Sequence, residues 1–171
     1  MRNIQSLCVY CGSSSGSHPE YVEAAPAFGT RLAKEGIALV YGGGKVGLMG
    51  TVADAVLAAG GRVIGVIPRQ LVEKEVAHPG LTEIHVVETM HQRKTRMYEL
   101  SEAFVALPGG FGTMDEMFEM LTWAQLGLHS HPCASLDVRG FYRGPAASMD
   151  HRVAHGFVKA APRGQGRLGE G

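Results

Sequence analysis

Short runs of apolar, often β-branched residues alternate along this chain with longer stretches whose apolar positions recur every three or four residues. Residues 4–10 (IQSLCVY) predict a strand that runs into the polar loop CGSSSG. A helix is predicted from Pro19 to Glu35. Proline suits its first turn, and Tyr21, Ala25, Phe28 and Leu32 fall on one face. Residues 37–41 predict a second strand ending in three glycines, 48–59 a helix stopped by GG, and 62–68 a third strand. Residues 69–82 read as a loop with room for a short helix. Strands at 83–88, 103–107 and 133–138 alternate with helices at 90–101 and 113–126, and a weaker helix is predicted at 143–155. In that last segment RGPAAS makes a poor amphipathic face.

This alternation predicts an α/β fold, a Rossmann-like doubly wound parallel sheet in three layers, α/β/α. The strands are almost continuously apolar, as expected when helices cover both faces of a sheet. The glycine- and serine-rich loops at 11–16, 42–47 and 108–112 each follow a strand, so they converge on the carboxyl edge, where such sheets bind ligands. Residues 1–158 are expected to form a single domain. The remainder, 159–171, carries four glycines and is expected to be a disordered tail.

Composition narrows the chemistry. The chain has 171 residues, 45% of them apolar and 19% charged, with 16 basic and 16 acidic side chains and a formal net charge of zero. A balanced charge gives no footprint for nucleic acid or an anionic membrane, and no apolar run reaches the ~18 residues of a span. An anionic ligand must therefore be held by local geometry. The N-terminus does not read as a secretory leader. Three cysteines form no disulfide framework and fit a cytoplasmic setting. Cys8 and Cys11 make a C-x-x-C, but Cys8 falls inside an apolar strand, and no second ligand pair is spaced for zinc. The eight histidines are scattered, and no metal or other cofactor is expected.

Three motifs carry candidate chemistry. In YGGGKVGLMG, Gly42, Gly44 and Gly47 form a G-x-G-x-x-G between a strand and a helix. The next strand ends without the acid a dinucleotide's ribose requires, and no Lys-Ser or Lys-Thr pair follows, so neither NAD nor a P-loop nucleotide fits. The bland reading is a tight turn; the alternative is a phosphate seat at the following helix N-terminus. In PGGFGTMDE, Gly109, Gly110 and Gly112 would admit a ligand to the backbone, with Thr113 as N-cap. Thr113 and Glu116 equally satisfy a capping box, which leaves Asp115 and Glu116 as ordinary first-turn acids. In TMHQRKTRMYE, Arg93, Lys94 and Arg96 open a helix against its dipole, a placement that a bound anion would explain. Arg93 and Lys94 are adjacent, so only one can enter a given cleft. Met90, Met97, Met114 and Met117 could line an apolar pocket or the core, and Phe118 and Trp123 suit core or interface.

Together, CVYCGSSSG, LVYGGGKVGLMG, VIGVIP, TMHQRK, ALPGGFGTMDE and TWAQLGLH resemble the cytokinin riboside 5′-monophosphate phosphoribohydrolases, the Lonely guy family, whose relatives were long labelled possible lysine decarboxylases. The resemblance runs in order from about residue 4 to residue 142. It implies hydrolysis of the N-glycosidic bond of an N6-substituted adenosine 5′-monophosphate to free base and ribose 5-phosphate. Alternatives are a general AMP or purine nucleotide nucleosidase, or a carrier of the same fold that binds nucleotide or molybdenum cofactor without turnover. The resemblance implies Arg93 and Glu116 as the catalytic pair. It further implies substrate contacts from Gly43, Gly44, Met90, Lys94, Gly109, Gly110, Phe111, Gly112, Thr113 and Thr122, a nucleoside 5′-monophosphate substrate and a homodimer. The apolar-rich residues 117–128 suit its interface or, equally, the core. Decarboxylation would need a pyridoxal phosphate lysine with an acid partner, which the sequence does not suggest.

Overall fold

The computed structural model describes residues 3–159 and 167–169. Six strands appear where the apolar runs predict them: β1 (Ser6–Tyr10), β2 (Ala38–Tyr41), β3 (Val63–Pro68), β4 (Glu83–Val87), β5 (Ala103–Ala106) and β6 (Cys133–Leu136). A short β7 (Arg167–Gly169) adds to the edge, giving the order β4-β3-β2-β1-β5-β6-β7 with every strand pairing parallel. The expected disordered tail falls largely on residues 160–166 and 170–171, outside the described residues; Arg167–Gly169 between them pairs with β6.

The described residues form five helices, α1 (Pro19–Lys34), α2 (Gly47–Ala58), α3 (Met90–Glu99), α4 (Phe111–Gln125) and α5 (Arg143–Ala154), of which α1 to α4 pack on the sheet. Alternation along each strand sends successive side chains to opposite faces. Leu7 and Val9 of β1 pack with Leu39, Tyr41 and Val63 against Ala25 and Leu32 of α1 and Val52 and Val56 of α2. Cys8 and Tyr10 pack with Val40, Val66 and Phe104 against Met97 of α3 and Met117 and Met120 of α4. Both faces of the central strands are thus dry, which is why these strands read as continuous apolar runs. Met97 and Met117 are core residues, and α5 buries none of its side chains, as its poor amphipathicity predicts.

The strand order reverses between β1 and β5, and that reversal opens a crevice at the carboxyl edge. The loops after the two strands are stitched together there: the Gly12 N–H donates to the Pro108 carbonyl at 3.1 Å.

Candidate active site

The crevice holds a cavity of about 240 Å³. Its walls come from the loop after β1 (Cys11 to Ser13), the first glycine loop, the start of α3 and the start of α4. Of the residues expected to act on substrate, Met90, Arg93, Gly110 and Phe111 line it, together with Gly112, Thr113 and Glu116. Gly43, Gly44, Lys94, Gly109 and Thr122 are not among the lining residues.

Arg93 is buried, on the first turn of α3. A capping box starts that helix, with Thr89 accepting from the Gln92 N–H and the Gln92 side chain accepting from the Thr89 N–H. The cap fixes the start of the helix that carries the cation. The Arg93 guanidinium donates from Nε to the Val66 carbonyl at 3.0 Å and from Nη2 to the Gly42 carbonyl at 2.6 Å. Nη2 also pairs with Glu75 Oε2 at 2.9 Å, and Nη1 reaches Glu75 Oε1 at 3.5 Å. Four of its five N–H groups are thereby held within the chain, which makes it a rigid wall charge rather than a mobile clamp. Gly42 is a glycine because a Cβ there would overlap the guanidinium.

Lys94 turns the other way. Its ammonium pairs with Glu119 at 2.7 Å and Asp115 at 3.3 Å, bracing α3 against α4. Hydrogen bonding to Glu119 raises its pKa and keeps it charged. Adjacent positions on one helix thus serve different partners, as their spacing predicts.

Helix α4 starts at Phe111, two residues earlier than expected, with Gly110 as N-cap and no side-chain cap. Thr113 is therefore not the N-cap, and the expected capping box with Glu116 does not form. Thr113 is buried and packs beneath Gly109, where a Cβ would overlap its side chain. The consequence is chemical: the first-turn residues of α4 line the cavity and no side chain caps their N–H groups, which suits an anion. The start of α2 differs. There the Gly12 carbonyl accepts from the Met49 N–H at 3.3 Å, so part of the expected phosphate seat is taken by the chain itself. Gly43 and Gly44 are likewise used internally, their carbonyls accepting from the His78 N–H and the Tyr41 hydroxyl.

Glu116 lies one turn into α4, half-buried on the cavity wall. Burial pushes its pKa up to about 7; Arg93 opposes that shift, and Glu75 and Asp115 add to it. A carboxyl group that titrates near neutrality can both take and return a proton. Cys8 and Cys11 are buried free thiols whose pKa is pushed well above the usual range by burial, so the C-x-x-C is inert packing. Among the described residues no group of three His, Cys, Asp or Glu side chains could hold a metal ion.

Glu75 is the site residue that sequence reasoning does not reach. It sits in the 69–82 loop beyond a short 3-10 turn, Arg69–Leu71. Nothing in VEKEV separates this acid from its neighbours. Only the folding of that loop onto the first glycine loop brings it to Arg93.

The family model described as possible lysine decarboxylase matches residues 49–168. A cytokinin riboside 5′-monophosphate phosphoribohydrolase of Rhodococcoides fascians is 48% identical over 160 residues, covering 93% of this chain and 81% of the relative. One from Arabidopsis thaliana is 46% identical, covering 94% and 75%. Among solved structures, the molybdenum cofactor carrier protein of Chlamydomonas reinhardtii superimposes with a TM-score of 0.66 at 20% identity, covering 85% of this chain and 84% of that one. At that identity the likeness speaks for the Rossmann-like fold alone. With nearly half of its residues shared along almost its whole length, this chain belongs to the cytokinin riboside 5′-monophosphate phosphoribohydrolase family.

Proposed function

We propose that the protein hydrolyses the N-glycosidic bond of an N6-substituted adenosine 5′-monophosphate, giving the free base and ribose 5-phosphate. The observation that carries this is the half-buried Glu116, poised near neutrality across one small cavity from the fixed cation Arg93 and beside a helix N-terminus that lacks a side-chain cap. The 5′-phosphate is held by the N–H groups at the start of α4, at Gly110 to Thr113, with the macrodipole behind them. A cavity of about 240 Å³ suits the ribose phosphate and leaves the base toward the mouth, between Met90 and Phe111; Phe111 is 97% exposed.

Departure of the base breaks the C1′–N9 bond, and the bonding pair leaves with the purine. Positive charge builds on the ribose, and an ionised Glu116 stabilises it. Glu116 takes a proton from water as the water oxygen bonds to C1′. The proton then passes to the departing base, so the enzyme returns to its starting state. Arg93 holds its place on the wall and orients ribose oxygens.

The protein acts as a homodimer in the cytoplasm. Phe118, Leu126 and Leu128 are exposed on and just after α4, an apolar surface of the kind that a second copy covers. The free, buried thiols suit a reducing compartment. The reading is tested with Glu116→Gln. The variant keeps the nucleotide-dependent rise in Tm and loses release of ribose 5-phosphate; full activity would refute the role of Glu116.

A further inference from the structure

Glu75 lies on a segment that is anchored along its length. The Lys45 N–H donates to the Glu75 carbonyl at 3.2 Å and to the Val76 carbonyl at 2.8 Å, and the His78 N–H donates to the Gly43 carbonyl at 2.9 Å. Within the segment, the Glu75 N–H donates to the Leu71 carbonyl at 2.8 Å and the Ala77 N–H to the Val72 carbonyl at 2.9 Å. Val76 takes a left-handed conformation, φ 49°, which a valine holds only when its surroundings fix it. Further out, the buried His78 accepts at Nδ1 from the Gly80 N–H and so donates from Nε2 to Asp54 of α2 at 2.7 Å. A surface connection fixed at this many points delivers one carboxylate to the cavity wall.

That carboxylate faces a choice of partners that the site must settle. Arg93 and Glu116 share the cavity, and a guanidinium beside a carboxylate pairs with it. A Glu116 locked in such a pair would be a poor proton acceptor. Glu75 occupies the guanidinium instead, with contacts to both Nη atoms. We propose that Glu75 is a positioning residue of the hydrolytic site, whose carboxylate holds Arg93 to the wall and so leaves Glu116 free to accept the proton from water. The inference rests on the hydrolytic reading above. The 69–78 segment thereby fixes the charge order of the cavity as carboxylate, guanidinium, carboxylate.

The groups that face Glu116 define what removal of Glu75 does. Arg93 and Lys94 of α3 favour its ionised form, while its burial, Glu75 and Asp115 oppose it; Tyr10 of β1 and Cys11 just after that strand line the same cavity. Glu75→Gln keeps the length and one acceptor but removes a negative charge, and it releases Arg93 toward Glu116. Both changes favour ionised Glu116.

The test is the pH dependence of kcat/KM for ribose 5-phosphate release by wild type, Glu75→Gln and Glu75→Asp. In the wild type the acid limb lies near the Glu116 titration. Glu75→Gln moves that limb down by about one unit and lowers the plateau at least ~10-fold. Glu75→Asp leaves the limb in place and loses rate because the shorter acid reaches Arg93 less well. A Gln variant whose limb stays at the wild-type pH overturns the proposal whatever its rate, since a merely structural role lowers the rate alone. If Glu75→Gln does not fold, an Asp variant with wild-type kcat overturns it equally. Carbonyl-carbon NMR titration of Glu116 separates the two readings. If the wild type releases no product, the hydrolytic reading fails; an unchanged Glu116 midpoint in Glu75→Gln then overturns the charge-order proposal separately.

Discussion

The Arg93 guanidinium occupies the space that a side chain at residue 42 would fill, and it donates to the Gly42 carbonyl at 2.6 Å. The first glycine motif and the buried cation on the cavity wall are therefore one device. The motif looks like a nucleotide loop, yet Gly42 serves the arginine first.

Gly42→Ala follows from that contact. A methyl group there displaces the guanidinium from the carbonyls of Gly42 and Val66, leaving buried acceptors without their donor. The expected outcome is a loss of about 1–3 kcal/mol in stability and a fall in kcat/KM of about 100-fold. Chemical denaturation and steady-state kinetics on one preparation check both. A variant with wild-type kinetics would separate Arg93 from catalysis.

Glu116 carries a stability cost that changes with pH. Its folded pKa of about 7 stands above its ordinary value of 4.5, so the folded state binds the extra proton between those pH values. Stability attributable to this group is highest below the unfolded pKa and falls as pH rises toward 7. The full effect is roughly 3 kcal/mol. Glu116→Gln is accordingly more stable than wild type at pH 8 by several degrees in Tm, and the difference closes at pH 4.5. Differential scanning calorimetry at the two pH values checks this; an equal difference at both contradicts the raised pKa.

Much of this was legible in the chain. The apolar runs at 4–10, 37–41 and 62–68 predict their strands because both faces are covered, so burial leaves a continuous mark. PGGFGTMDE marks a loop that lines the cavity because glycines and a helix start coincide at the carboxyl edge of the sheet. What sequence hid was partner choice. Thr113 has the composition of a cap, but the helix begins at Phe111, since Gly110 can take the N-cap position itself. Arg93 and Lys94 look alike in sequence, and only the packing of α4 gives Lys94 two acids of its own. Glu75 joins the site by pairing with a residue 18 positions further along the chain, a contact that no local periodicity records.

Lys94 tests that distinction. Lys94→Ala leaves Asp115 and Glu119 without their shared cation on α4. The expected result is a Tm lowered by a few degrees with KM for nucleotide changed less than about two-fold. A large rise in KM with unchanged Tm would instead make Lys94 a direct nucleotide contact.

The apolar surface on α4 makes a separate prediction. Phe118→Glu places a charge beside Leu126 and Leu128 and is expected to convert a dimer to monomer in sedimentation analysis. Wild-type protein that is already monomeric would remove this surface from the account.

The most direct measurement is mass-spectrometric product analysis of the purified protein with N6-isopentenyladenosine 5′-monophosphate, AMP and N6-isopentenyladenosine side by side. Free base and ribose 5-phosphate are expected from the N6-substituted monophosphate and none from the nucleoside, because the proposed seat at the α4 N-terminus needs the phosphate. Turnover of the nucleoside at a comparable rate, or no product from any of the three with folded protein, would contradict the proposal.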